Sequence, residues 1–246
     1  MSENGQAGGG QRAPLLSHLL ALRRVLLISL IAVAAAFMLI FFLAINPLMD
    51  FITGPISARG IEVIYTALSE AVTTKVKVAL IAAVIAASPI VIWQVWGFVR
   101  PALYPREKKA FRAVFFIMVA LFLLGVSFCY FAVYSLALDF FLVQGEGLAT
   151  PMLSLDQYVA FLFGFIVPFG AAFQLPLALY LTAKAGLTDA KMLASKRKYV
   201  ILGVFVLAAV LTPPDIVSQV ALGVPLCLLY EAGVLASRLT RRGASA

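Results

Sequence analysis

Apolar blocks of about membrane-spanning length, separated by short segments that carry almost all the charge, constrain this chain more than any other feature. The blocks run roughly over 25–45, 74–99, 111–135, 157–183, 199–212 and 216–236. About 20 apolar residues cross a hydrocarbon core of about 30 Å as helix. The composition agrees: 63% of the 246 residues are hydrophobic and 12% charged, whereas soluble domains average roughly 45–50% and about 25%. An all-α integral membrane protein with six transmembrane helices is therefore expected. Its six-helix domain spans 14–237, between a polar, glycine-rich tail at 1–13, expected to be disordered, and a second tail at 238–246.

The basic residues orient these helices. Sixteen of the nineteen lysines and arginines lie in the N-terminal tail, the loops near 100–112 and 184–198, and the C-terminal tail. Only Arg59, Lys75 and Lys77 fall on the opposite side. Positive residues stay in the cytoplasm, which predicts both termini inside a bacterial inner membrane. The net charge of +8 thus reads as topology, not as affinity for nucleic acid. Ala32-Val33-Ala34 resembles a signal-peptide cleavage site, but the apolar run continues through Phe42, so the first block is read as a retained helix. Cys129 and Cys227 both lie in apolar blocks and read as packed hydrophobes, not a disulfide or metal pair.

The last two blocks are short. Residues 199–212 rise about 21 Å as helix, and the apolar stretch Ile216–Tyr230 is of similar length. Thr212-Pro213-Pro214-Asp215 joins them, with prolines ending one helix and Asp215 able to start the next. Undersized helices thin the bilayer or pack against partner helices. The connections 46–73 and 136–156 contain Pro47, Gly54, Pro55, Gly145, Gly147 and Pro151 without low complexity, and are expected to be ordered caps. Dense prolines, including Pro89, Pro168, Pro176 and Pro225, predict curved helices.

Few residues offer chemistry. Gln174 lies deep in the fourth block, where an amide needs a partner. It either packs against a neighbouring helix or lines a polar indentation that receives a ligand. Gln94, between Trp93 and Trp96, poses the same choice and reads as packing. Glu107 is the lone acid of the basic loop 100–112. Its neighbours neutralise it, or it is held for an incoming guanidinium, which it can accept bidentately. Glu70 precedes the second block and reads as a helix cap or a functional acid. His18 is a lone histidine at a helix start and reads as structural. No catalytic or metal-binding constellation, and no need for a cofactor, is evident. Missing internal repeats and mid-membrane ionisable groups argue against a solute transporter.

The chain resembles the TatC family, the multispanning subunit of the twin-arginine translocase, over nearly its whole length. The resemblance rests on His18–Arg24, Ser69–Lys77, Ser88-Pro89 through Gln94–Phe98, Pro101–Glu107, Phe169–Pro176, Lys196–Tyr199 and Leu211–Asp215 with Ser218-Gln219 and Leu229–Glu231, in family order. It implies a cupped, glove-like fold and a non-enzymatic receptor for the twin-arginine signal peptides of folded substrates. It also implies self-association, assembly with the single-span TatB and TatA, and transport driven by the proton-motive force. By this resemblance Glu107 meets the arginine pair, with Phe98, Leu103, Tyr104 and Arg23 around it. Thr212, Asp215 and Gln219, with the intramembrane Gln174, mark partner-helix docking, and Pro55 and Glu70 belong to the outer cap. Two positions depart from the family. Ala21 stands where the family usually has glutamate, removing one carboxylate worth roughly 1.5–3 kcal/mol to a guanidinium. Gln174 also stands where a glutamate is frequent.

Overall fold

The computed structural model describes residues 12–103, 108–145, 152–211 and 216–242. They form α1 (Arg12–Leu39), α2 (Ile45–Ser57), β1 (Val63–Ile64), α3 (Glu70–Leu103), α4 (Lys108–Phe128), α5 (Ser135–Gly145), β2 (Leu153–Ser154), α6 (Leu155–Ala172), α7 (Leu175–Lys184), α8 (Ala190–Ser195), α9 (Arg197–Leu211) and α10 (Ile216–Arg242). Among the described residues five helical stretches are long and apolar enough to cross a membrane: Leu19–Ser57, Glu70–Phe98, Arg112–Gly145, Leu155–Lys184 and Ile216–Arg238. The protein is thus a multi-pass, all-helical membrane protein. The short fifth helix is α9, whose 15 residues rise about 22 Å.

Four expectations need correction. The first and third blocks continue as helix past 45 and 135, because the π-helical turns Ile40–Ala44 and Cys129–Tyr134 carry the chain into α2 and α5 without a break. The fourth block is two helices. A turn at Phe173-Gln174 separates α6 from α7, and Pro176 falls in the first turn of α7, where its missing N–H costs no helical bond. The last helix is not short: α10 has 27 residues. Only its apolar part is short, and the helix runs on past Glu231 because α7 and α8 pack along it.

α6 is the centre of the core. Tyr158, Val159, Leu162, Phe165, Ile166, Phe169 and Gly170 are buried at the three- and four-residue spacing of one helical face. α3 and α4 pack on this helix, α1 packs along α3, and α9 and α7 pack against α10. Close approach at α4–α6 depends on small residues. A Cβ on Gly125 would lie 2.8 Å from the Phe169 carbonyl oxygen, and one on Gly170 would lie 2.8 Å from the Phe122 ring. The described parts of both connections are ordered. β1 and β2 pair in parallel, Val63 with Leu153 and Ile64 with Ser154, and bind the caps together at the end that carries Arg59, Lys75 and Lys77.

Candidate functional site

At the end where the chain begins, two of the expected segments fall on α1 and α3. These helices pack along each other, and Lys75 Nζ lies 3.3 Å from Asn46 Oδ1 near the other end of the pair. Ala21 and Arg23 are exposed on α1, and Phe98 is half-buried on α3. Leu103 is the last residue of α3. Tyr104 and Glu107 lie outside the described residues, as do Thr212 and Asp215.

The polar residues of the helix interior are used within the chain. Gln174 Nε2 donates to the Met118 carbonyl at 3.0 Å, tying the α6–α7 joint to α4. Its Oε1 is buried without a hydrogen-bond partner. Of the two readings of this residue, packing therefore accounts for its donor alone. Gln219 Nε2 donates to the Phe205 carbonyl at 3.0 Å, so the side chain expected at a docking edge already joins α10 to α9. Below it, Arg197 and Glu231 form an ion pair, with Nη2 donating to Oε2 at 2.7 Å and Nε 2.6 Å from Oε1.

At the opposite end Glu70 is more than a helix cap. Its Oε2 accepts from the Thr66 amide at 2.6 Å, the Thr66 hydroxyl at 2.8 Å and the Ala67 amide at 3.3 Å. Those bonds close the start of α3, as the local sequence suggests. Its Oε1 accepts from the Ser154 hydroxyl and from the Asp156 amide at 3.0 Å, joining the first cap to the second. Asp156 in turn accepts from Thr74 at 3.2 Å and pairs with Lys77. Sequence reasoning missed this partner set, because the two halves are more than 80 residues apart.

Two further cap ties were also missed. Arg59 donates to Asp139 at 2.6 Å, to Ser135 at 2.8 Å and to the Pro55 carbonyl at 2.6 Å. Its hydrogen bond with Asp139, outweighing burial, holds the guanidinium above its ordinary pKa. Pro55 lies inside α2 and has no N–H to offer the carbonyl four residues back, that of Phe51. The Tyr130 hydroxyl donates to that carbonyl at 2.6 Å. Next to it, the Tyr158 hydroxyl donates to the Ile52 carbonyl at 2.7 Å. A proline within a helix, an unmatched carbonyl and a tyrosine in another block were the signal available in the sequence.

These sites hold helices together and present surfaces. Among the described residues no group of three or more His, Cys, Asp or Glu side chains could hold a metal ion.

The family model of the Sec-independent protein translocase protein TatC matches residues 17–225. The TatC of Aquifex aeolicus is 40% identical over 233 residues, covering 93% of this chain and 96% of the relative. That of Carboxydothermus hydrogenoformans is 36% identical over 92% of this chain and 93% of its own length. The Escherichia coli K12 protein is 33% identical over 92% and 88%. A crystal structure of the twin-arginine translocase receptor TatC superposes with a TM-score of 0.85 at 38% identity, covering 91% of this chain and 99% of that one.

Proposed function

Because this chain belongs to the TatC family of Sec-independent protein translocase proteins, a translocase component and not an enzyme, we propose that it is the receptor core of a twin-arginine translocase. The observation that carries the proposal is the end-to-end match, in sequence and in fold, to the twin-arginine translocase receptor. In this reading both termini face the cytoplasm of a bacterial inner membrane, and α9 is a sixth, undersized crossing. The distribution of lysines and arginines supports that orientation.

Glu107 is the carboxylate that accepts the guanidinium groups of the signal peptide. It follows the end of α3 in the chain, and α1, which carries Arg23, packs along α3, which carries Phe98. Phe98, Leu103 and Tyr104 supply the apolar surround, in which a charge-assisted bidentate bond is stronger than in open water. Ala21 leaves that site with one carboxylate fewer than is usual in the family. TatB and TatA dock along the α9–α10 edge, near Thr212, Asp215 and Gln219, with Gln174 as the intramembrane polar group. Pro55 and Glu70 keep the outer cap closed. The protein self-associates, and transport draws on the proton-motive force.

Photo-crosslinking tests the recognition step. A folded precursor with a twin-arginine leader should crosslink to loop 100–112 of the wild type and lose most of that crosslink with Glu107→Ala. Equal crosslinking of a twin-lysine leader to the wild type refutes the role of Glu107. Export of a folded twin-arginine reporter in cells lacking their own TatC tests the translocase function as a whole.

A further inference from the structure

The start of α9 carries two cations, Lys196 and Lys198, that have no counter-ion among the described residues. Lys196 Nζ lies 5.6 Å and Lys198 Nζ 5.1 Å from the centroid of the Tyr199 ring. Arg197, between them, is neutralised by Glu231. Among the described residues neither lysine enters an ion pair. Two ammonium groups on one ring repel each other, and the ring quadrupole offsets only part of that. Glu231, the carboxylate paired there, is engaged by Arg197.

What lies beside the cations identifies the anion's source. Tyr199 is 59% exposed, and Leu202, Val206 and Val210 continue from it, all exposed, along one face of α9. In a bilayer such a face meets acyl chains, and a tyrosine at its head marks the headgroup level. α9 is about 8 Å shorter than the hydrocarbon thickness of about 30 Å, so headgroups beside it must be drawn inward. Cations above, an amphipathic ring between and an apolar stripe below complement an anionic phospholipid.

We propose that the start of α9 binds an anionic phospholipid, with Lys196 and Lys198 on the phosphate and the acyl chains along Leu202, Val206 and Val210. The bound headgroup fixes the thinned leaflet against the short helix. The site requires only that α9 lie in a bilayer; it does not depend on Glu107 or on signal-peptide recognition.

Native mass spectrometry of the full chain tests this, after release from phosphatidylcholine nanodiscs doped with phosphatidylglycerol. The wild type should retain phosphatidylglycerol in preference to phosphatidylcholine. Near an anionic surface each basic residue contributes enough that Lys196→Gln or Lys198→Gln should cut retention about fivefold, and the double variant about thirtyfold. Lys191→Gln, on the same segment, should leave it unchanged, and the double arginine variant should keep it. Undiminished retention in the double glutamine variant, an equal loss with Lys191→Gln, or displacement by free inorganic phosphate would each overturn the site.

Discussion

The Tyr130–Pro55 arrangement makes a prediction that ordinary packing does not. Pro55 removes the N–H that would bond the Phe51 carbonyl, and the Tyr130 hydroxyl supplies the donor at 2.6 Å. Tyr130 is buried, and its ring stacks on Phe51 with centroids 4.7 Å apart. Tyr130→Phe keeps the ring but leaves the carbonyl without a donor, at a cost of roughly 1–3 kcal/mol. Pro55→Ala restores a backbone N–H four residues after Phe51, so in that background the hydroxyl becomes redundant. Tyr130→Phe should then cost under about 0.5 kcal/mol, a coupling that a double-mutant cycle isolates. Cys129 is fully buried and reports opening of this region, once Cys227 is replaced by alanine to leave one thiol. Each 1.4 kcal/mol is tenfold in an equilibrium, so the single variant should raise the rate of thiol labelling about 5- to 150-fold through local opening. The same acceleration in both backgrounds would refute the reasoning.

Three more outcomes follow from the geometry. Gly125→Ala forces a methyl against the Phe169 carbonyl oxygen and the root of the Phe173 side chain, both within 2.9 Å. Such overpacking costs about 1–3 kcal/mol and should lower the thermal midpoint, whereas Gly97→Ala, with nothing within 4 Å, should not. Glu70→Gln keeps one acceptor oxygen but turns an amide N–H₂ toward donors on the other side, since both carboxylate oxygens accept. Protease cleavage within 58–69 should speed up, and an unchanged rate would mean the two caps hold without it. Ala21→Glu should tighten precursor binding about 10- to 100-fold, as expected for one added charge-assisted bond, read by titration of a labelled signal peptide.

How much of this was legible in the sequence depended on the range of the interaction. Hydropathy and length revealed the long apolar helices and the short α9, because both act within one segment. The start of α3 was legible for the same reason, since Glu70 caps it from three and four residues away. The joint at Phe173-Gln174 was not: Pro168 and Pro176 both sit in the same apolar block, yet only the second opens a new helix. The length of α10 was hidden because Glu231 and Ser237 end the apolar run. There the helix is sustained by packing, with Gly233 close against Pro176 and Leu179. Glu70 with Ser154, and Arg59 with Asp139, join residues whose pairing no local pattern encodes. Both caps looked like connections punctuated by glycine and proline. Only the fold shows that their polar groups answer one another.

The parallel pairing of Val63-Ile64 with Leu153-Ser154 also sets a schedule for biogenesis. During synthesis at about 5–20 residues per second, roughly 5–20 s separate the emergence of the first strand from that of its partner. Until then Glu70 lacks its Ser154 and Asp156 donors, and Lys77 lacks its carboxylate. The early helices must therefore remain inserted without the polar ties between the two caps, and the clasp closes only on a chain whose middle portion has already arrived.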